Sequence, residues 1–305
     1  MGNKILVLGG SGLLGRNIVR VLKERGYENV VAASRSINNA DITNPDSIDK
    51  LVSEADCVIN AAGFIAFLHR DREKLMNVNF KGAVNVLKLC EKHEKRLIHV
   101  SSVAAFGVSD AEITEDTQFD ENRYSHLAYA YSKYRANPEI NKSSCKTNII
   151  FPPLIFGSED DNTKNFFNMV KGKKSKFVPN GSNAYIDVRD LADGIVRVLE
   201  DAKNKANYII SNENISIKTL FSGFSEALGQ HTKFIEIPRF MEKVLVLLSR
   251  LLQGIGFKVP SDNVFFGFQK RRYSTEKIER DLKFFPKYKL PESLKWVADS
   301  DRLIA

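Results

Sequence analysis

The chain has 305 residues, of which 43% are hydrophobic and 27% are charged, and its formal net charge is +8. This length accommodates one large α/β domain, or a nucleotide domain with a smaller second lobe, and the composition excludes a disordered or fibrous protein. The basic residues are spread along the chain without a nucleic-acid-binding motif, and three cysteines without paired spacing exclude a disulfide framework.

The N-terminal stretch predicts a strand that runs directly into a helix. Residues 5–8 (Ile-Leu-Val-Leu) are typical of a buried parallel strand, and Ile18, Val19 and Leu22 have helical spacing. No long apolar segment precedes a cleavage site, so we expect no signal peptide and a cytoplasmic protein.

Glycines connect this strand to this helix, and they can be assigned in two ways. Gly10, Gly12 and Gly15 match the G-x-G-x-x-G fingerprint of dinucleotide-binding proteins, and Gly9 in place of Gly10 makes a G-x-x-G-x-x-G spacing. Bare N–H groups at a helix N-terminus favour an anion, so this turn is predicted to bind the pyrophosphate of a dinucleotide. The contacts are expected from Gly9, Ser11, Gly12, Leu13, Leu14 and Gly15.

The second predicted strand, residues 29–34, bears on the choice of cofactor. An NAD-specific site has an acidic residue at the end of this strand, whereas this chain has Ser34, Arg35 and Ser36. A guanidinium donates bidentately to phosphate oxygens, so Arg35 favours NADP over NAD. A solvated arginine at a strand end is the alternative. Residues 41–46 follow, where Asp41 either forms a turn before the next helix or accepts a hydrogen bond from adenine.

The next elements continue a strong alternation of strands and helices. A strand at 55–59 leads into Ala61, Ala62 and Gly63, a helix over about 78–89 carries Asn79, and a strand at 96–100 ends at Ser101 and Ser102. This alternation predicts a doubly wound parallel sheet, the Rossmann fold. Ligands in such sheets bind at the carboxyl ends of the strands, and these small and polar residues all follow strands.

Ser102, Tyr129 and Lys133 form the candidate catalytic set. Tyr129 and Lys133 are four residues apart, so they lie on the same face of a helix. A nearby ammonium favours the phenolate and lets a tyrosine act as an acid and base near neutral pH. Ser102 is expected to donate a hydrogen bond to a substrate carbonyl. The set needs no metal, and none is predicted.

This order of motifs resembles the extended short-chain dehydrogenase/reductase superfamily, which includes NAD-dependent epimerases and dehydratases. The resemblance covers nearly the whole chain and is strongest to the dihydroflavonol-4-reductase-like branch, whose use of NADP agrees with Arg35. It implies that Asp41 and Ile42 hold the adenine, that Lys133 also holds the nicotinamide ribose, and that Pro152 contacts the nicotinamide end. The motifs that carry it include Gly9–Gly15, Asp41-Ile42, Ala61–Gly63, Asn79, Ser101–Gly107, Tyr129-x-x-x-Lys133, Pro152–Gly157 and Tyr185–Ala192.

The resemblance implies an NADP-dependent oxidoreductase acting on a small ketone or secondary alcohol. A nucleotide-sugar epimerase with bound NAD is the alternative, and a dehydratase is disfavoured because Ser102 is followed by Val103-Ala104 rather than Asp-Glu. Relatives often form homodimers. The chain departs from the family at Pro138, which predicts a kink or stop near Asn137, and at Phe151, which could reshape the substrate pocket.

The remaining sequence is expected to form a smaller substrate lobe. We assign residues 1–157 to the NADP-binding domain, with 184–212 folding back onto it, and most of 158–305 to the lobe. The apolar segment 244–252 is too short to span a membrane, and core packing, pocket lining and membrane contact all remain open, with core packing as the default. Lys270, Arg271 and Arg272 predict a basic surface, or a site for a substrate phosphate.

Overall fold

A computed structural model describes residues 3–257 and 259–301, and a six-stranded parallel sheet lies at its centre. The described strands are β1 (Ile5–Leu8), β2 (Val30–Ala33), β3 (Cys57–Asn60), β4 (Arg96–Val100), β5 (Thr147–Phe151), β6 (Leu154–Phe156), β7 (Ser175–Pro179), β8 (Ser182–Asp187), β9 (Tyr208–Ile209), β10 (Asn214–Ser216) and β11 (Lys233–Ile237). The central sheet has the order β2-β1-β3-β4-β5-β9.

Helices flank this sheet and build most of the remaining structure. They are α1 (Leu13–Glu24), α2 (Asp46–Ser53), α3 (Arg72–Leu75), α4 (Ala83–Lys92), α5 (Glu121–Tyr124), α6 (Ala128–Lys142), α7 (Asp161–Val170), α8 (Val188–Asp201), α9 (Ile217–Ala227), α10 (Glu242–Gly254), α11 (Ser261–Phe268), α12 (Glu276–Leu282) and α13 (Leu290–Ser300). Residues Met76–Gly82 form a π-helix that runs into α4.

The central sheet is buried on both faces, which explains the continuous apolar runs of its strands. In β1, Ile5 and Val7 pack into one hydrophobic core, whereas Leu6 and Leu8 pack into the core on the opposite face. The chain moves outward from β1 to β2 and then crosses back to β3, so the strand order reverses beside β1. The predicted doubly wound fold is confirmed, and its switch point lies where the glycine turn leaves β1.

A smaller lobe lies beyond the central sheet and has its own core. Strands β10, β8 and β6 form a three-stranded sheet, and β11 pairs with β7 in a second, two-stranded one. The core of this lobe includes Phe156, Phe167, Tyr185, Phe224 and Leu294. Two elements from later in the chain belong to the central sheet and its flanking helices. Helix α8 contributes to the core around α1, and β9 forms an edge of the central sheet.

Pro138 does not stop α6, so of the predicted kink or stop near Asn137 the stop is wrong. The helix continues to Lys142, and Ala136 and Ile140, on either side of the proline, are fully buried in the core beside the central sheet. A proline lacks the N–H that would bond to the carbonyl four residues earlier. Burial of the flanking apolar side chains offsets this local cost.

The apolar segment 244–252 forms most of α10. Core packing was the default prediction for this segment, and it is wrong, because most of these side chains are exposed. Ser249 is the buried residue of this helix, whereas Val244, Leu247 and Leu251 are more than half exposed. The helix packs mainly against α11. Within residues 3–257 and 259–301, every helix is too short or too polar to cross a bilayer.

Candidate active site

The glycine turn between β1 and α1 is shaped by close approaches of the backbone. Gly9 has a φ of +79°, and its carbonyl accepts a hydrogen bond of 2.9 Å from the N–H of Gly12. A Cβ atom on Gly9 would lie 2.7 Å from the nitrogen of Ala62, and one on Gly15 would lie 2.2 Å from the carbonyl oxygen of Gly9. Helix α1 begins at Leu13, so its first N–H groups, which have no intrahelical partner, emerge at this turn.

This geometry predicts a large effect for Gly15→Ala. The added methyl group meets backbone rather than a movable side chain, so α1 must shift away from the turn. We expect a loss of about 1–3 kcal/mol in the free energy of unfolding, together with loss of dinucleotide binding. Urea unfolding and cofactor fluorescence measure both. Gly254→Ala is the matched control, since no atom lies near its added methyl group and alanine is favoured in a helix; equal effects of the two substitutions would contradict the prediction.

Arg35 lies where the sequence analysis expected it, just beyond the carboxyl end of β2. Its side chain is exposed, and none of the ion pairs in the described ranges 3–257 and 259–301 involves it. Ser34 and Ser36 share a hydrogen bond of 3.1 Å between their hydroxyl oxygens. The guanidinium is therefore available to an anion at this strand end.

Asp41 forms a local turn. Its Oδ1 accepts hydrogen bonds from the backbone N–H and the hydroxyl of Thr43, at 2.9 and 2.8 Å. Ile42 is buried, and it packs so closely on Gly82 that a Cβ there would lie 2.8 Å from its side chain. The turn interpretation of Asp41 accounts for these contacts, and an adenine contact by Asp41 stays a prediction.

Ala61, Ala62 and Gly63 follow β3, and Gly63 allows a close approach to Lys133. A Cβ on Gly63 would lie 3.2 Å from Lys133 Nζ and 3.4 Å from Asn79 Oδ1. Asn79 is buried on the π-helix, where its Nδ2 donates to Phe64 O at 2.9 Å and to Ser132 Oγ at 3.0 Å. Asn79 therefore connects the loop after β3 to α6, the helix of Tyr129 and Lys133.

Ser102 and Tyr129 lie near each other, as the candidate catalytic set requires. Ser102 follows β4, and its hydroxyl accepts a hydrogen bond of 3.2 Å from the N–H of Ala104. Burial raises the pKa of Tyr129, near the start of α6, and the neighbouring Ser102 hydroxyl opposes that rise. The ring of Phe67 packs edge-on against Tyr129, with centroids 5.4 Å apart. The phenol of Tyr129 is therefore protonated at neutral pH.

Lys133 lies one turn after Tyr129 and is buried. Its Nζ donates a hydrogen bond of 3.0 Å to the carbonyl of Val100, and burial lowers its pKa to about 8. Lys133 was predicted to favour the phenolate of Tyr129, whereas the neighbour that lowers the pKa of the phenol here is Ser102. The ammonium lies close to Gly63, where an added Cβ would be 3.2 Å from Nζ.

Pro152 is adjacent to this set, and Phe151 is not part of the pocket. The carbonyl of Pro152 accepts a hydrogen bond of 3.1 Å from the N–H of Val103, which holds the start of β6 beside Ser102. Phe151 is buried against Phe106, with ring centroids 4.6 Å apart. Phe151 therefore packs in the core rather than reshaping the pocket.

A cavity of about 920 Å³ adjoins the start of α6 and contains basic residues that the sequence analysis missed. Its wall includes Ala128, next to Tyr129, and the side chains of Arg70, Arg72, His126 and Arg250. These residues come from three segments far apart in sequence, so no motif connects them. Asp262 is the carboxylate in this wall; burial raises its pKa, and the neighbouring His126, the N–H of Ala128 and Arg250 oppose that rise.

The basic run at residues 270–272 is divided by burial, which corrects the prediction of a basic surface. Lys270 and Arg272 are exposed, but Arg271 is 5% exposed and its guanidinium lies over the ring of Phe266 at 4.6 Å. Arg271 is therefore a core residue of the lobe. Across the described ranges, no group of three or more His, Cys, Asp or Glu side chains could hold a metal ion.

The fold and this site together define a class of enzyme. A doubly wound parallel sheet, a glycine turn that only glycine fits, and a Ser–Tyr–Lys set at the carboxyl ends of its strands suit a nicotinamide dinucleotide. These features are those of an NAD(P)-dependent extended short-chain dehydrogenase/reductase. A family model described as the NAD dependent epimerase/dehydratase family matches residues 5–212, and the chain belongs to that family.

The chain is similar to curated enzymes of more than one activity. It is 27% identical to a Synechocystis sp. protein with a provisional dihydroflavonol 4-reductase name, over 92% of this chain and 90% of that one. It is 25% identical to the ADP-L-glycero-D-manno-heptose-6-epimerase of Brachyspira hyodysenteriae, over 79% and 80%. A solved structure, that of RMD from Pseudomonas aeruginosa complexed with NADPH, superposes with a TM-score of 0.74 at 17% identity, covering 99% of this chain and 100% of that one.

Proposed function

We propose that this enzyme reduces a ketone, or oxidises the corresponding secondary alcohol, with NADP(H) as the hydride carrier. The observation that carries the proposal is the buried ammonium of Lys133 one turn after Tyr129, on a helix that starts beside Ser102 at the end of β4. When bound, the nicotinamide supplies or accepts the hydride.

The protein's own part in this reaction is to hold the carbonyl and to move a proton. The phenol of Tyr129, protonated at neutral pH, donates its proton to the carbonyl oxygen during reduction. Ser102 donates a hydrogen bond to the same oxygen and polarises the carbonyl. Lys133 contributes positive charge beside Gly63, where the cofactor ribose would be held. In alcohol oxidation the same groups act in reverse.

The cofactor site we propose uses the whole carboxyl edge around the switch point. The turn Gly9–Gly15 would hold the pyrophosphate, Asp41 and Ile42 the adenine, and Ala61–Gly63, Asn79 and Pro152 the nicotinamide half. In this proposal residues 1–157, with 184–212, form the cofactor domain and the remaining C-terminal residues bind substrate. The buried free thiols of Cys57, Cys90 and Cys145 support a reducing, cytoplasmic compartment, and a homodimer is the proposed assembly.

Arg35 is expected to set the preference for NADPH over NADH. Arg35→Ala should weaken NADPH binding by about 10- to 100-fold and leave NADH binding unchanged, because a hydrogen-bonded charge contact contributes roughly 1.5–3 kcal/mol. Fluorescence titration with each cofactor measures both affinities. Arg20→Ala on α1, which removes an exposed partner of Glu24, is the matched control. Equal affinity of the unmodified enzyme for NADPH and NADH would remove Arg35 from this role.

A nucleotide-sugar epimerase is the second candidate, and the cavity wall favours it specifically. Arg70, Arg72 and Arg250 suit an anionic substrate such as a nucleoside diphosphate sugar, and one relative is named as a heptose epimerase. Two substrate panels separate the candidates. A panel of ketones and aldehydes is scored by the loss of NADPH absorbance, and a panel of nucleotide sugars by epimer formation without net cofactor turnover. Stoichiometric NADPH consumption supports the reductase, and epimerisation with a recycled cofactor contradicts it.

A further inference from the structure

Helix α10 and the residues that flank it, Phe240 and Ile255, carry an apolar stripe on the outer side, which the proposed reaction does not use. The residues recur at helical spacing, and their exposed fractions range from 49% for Leu248 to 79% for Phe240. A continuous exposed apolar face of this kind marks an interaction surface rather than a core element. We call it the outer stripe, and it consists of Phe240, Val244, Leu247, Leu248, Leu251 and Ile255.

Charge at the border of the outer stripe indicates what covers it. Lys243 lies four residues before Leu247, and Arg250 lies three residues after it. Both therefore lie along one edge of the stripe, and both are exposed. Glu242 is the one acidic residue of α10, and it turns inward, where its Oε1 accepts a hydrogen bond of 3.0 Å from Gln269. The exposed side of the helix is therefore apolar and basic.

We propose that the outer stripe docks this enzyme on the surface of an anionic lipid bilayer. An interfacial helix of this type buries its apolar residues at the boundary of headgroups and acyl chains, while lysine and arginine pair with anionic headgroups. The net charge of +8 on the chain acts in the same direction. A second copy of the chain fits less well, because a symmetric contact would bring like charges at Lys243 and Arg250 together.

The basic edge of the outer stripe connects this surface to the candidate active site. Arg250, Gln253 and Gly254 from the C-terminal part of α10 form a wall of the cavity beside Ala128. Docking through the outer stripe would therefore hold that cavity next to the bilayer surface. The docking itself does not depend on the reaction, and its test needs no substrate.

The test is flotation of the full chain with lipid vesicles. The unmodified protein is expected to float with phosphatidylcholine vesicles that contain phosphatidylglycerol, and to float far less with phosphatidylcholine alone. The double substitution Leu247→Ser and Leu251→Ser should reduce the bound fraction at least about tenfold, since each leucine loses its apolar transfer free energy. Lys243→Gln should reduce it about fivefold. Both leucines are exposed, so the thermal midpoint should stay unchanged.

The controls separate docking from general attraction of a basic protein. The leucine substitutions keep every charge, so unchanged flotation of the double variant would overturn the proposal. Phe285→Ser, an equally exposed apolar residue between α12 and α13, should float like the unmodified protein. Failure of the unmodified protein to float would also overturn it. A third result would also overturn it: light scattering shows concentration-dependent self-association, the leucine substitutions abolish that self-association, and the protein does not bind vesicles.

Discussion

Tyr129→Phe should lower the rate of carbonyl reduction by about 10²- to 10⁴-fold, which is the usual contribution of a positioned proton donor. The substitution removes only the hydroxyl and keeps the ring that packs on Phe67. Cofactor affinity should remain nearly unchanged, because the phenol is proposed to act on the substrate oxygen. Steady-state kinetics with NADPH and fluorescence titration measure the two effects separately.

The same helix offers a matched control for this prediction. Tyr134 also presents a phenol, and its hydroxyl donates a hydrogen bond of 3.1 Å to Glu121 on the exposed side of α6. Tyr134→Phe should therefore leave turnover within about twofold, as for a surface change away from the reacting atoms. Equal losses in both variants would indicate a structural role for the helix surface and would remove Tyr129 from the catalytic set.

Lys133→Met should inactivate the enzyme and at the same time stabilise its fold. Burial lowers the pKa of Lys133 to about 8 from its ordinary value of 10.5, which means that the folded state carries a buried ammonium at a cost at neutral pH. Each pKa unit corresponds to about 1.4 kcal/mol. Because the variant also leaves the Val100 carbonyl without this donor, we expect a net gain of about 1–3 kcal/mol in the free energy of unfolding at pH 7.

The pH dependence of this gain follows from the direction of the shift. Below pH 8 the lysine is protonated in both the folded and unfolded states, so the full cost of the buried charge is present. Between about pH 8 and 10.5 the unfolded state binds more protons, so the unmodified protein becomes more stable relative to the variant as pH rises. Urea unfolding at pH 7 and pH 10 measures the difference, which should shrink at the higher pH.

A lysine at the exposed end of the same helix serves as the comparison. Lys142→Met removes a charge from α6 without removing a buried one, so its effect on unfolding should stay within about 0.5 kcal/mol at both pH values. A Lys133→Met variant that is less stable than the unmodified protein at pH 7 would contradict the prediction. It would mean that the hydrogen bond to Val100 outweighs the cost of the buried charge.

Local patterns were sufficient for the cofactor half of the molecule. The apolar run at residues 5–8 and the helical spacing of Ile18 and Leu22 predicted β1 and α1, because strand and helix periods are short-range properties. The alternation that followed predicted the parallel sheet. Pro138 is the exception, since its local preference to end a helix lost to the burial of Ala136 and Ile140.

The sequence by itself determined the strand–glycine–helix order, the doubly wound sheet and the membership of Tyr129 and Lys133 in one helix face, because each depends on residues close together in the chain. Only the tertiary structure decided that Lys133 donates to the carbonyl of Val100, that Arg70 and Arg250 share a cavity, and that α10 leaves its apolar stripe exposed. These features depend on which distant segments meet. A hydrophobic pattern states that a face should be covered, whereas the fold determines whether the chain itself covers it.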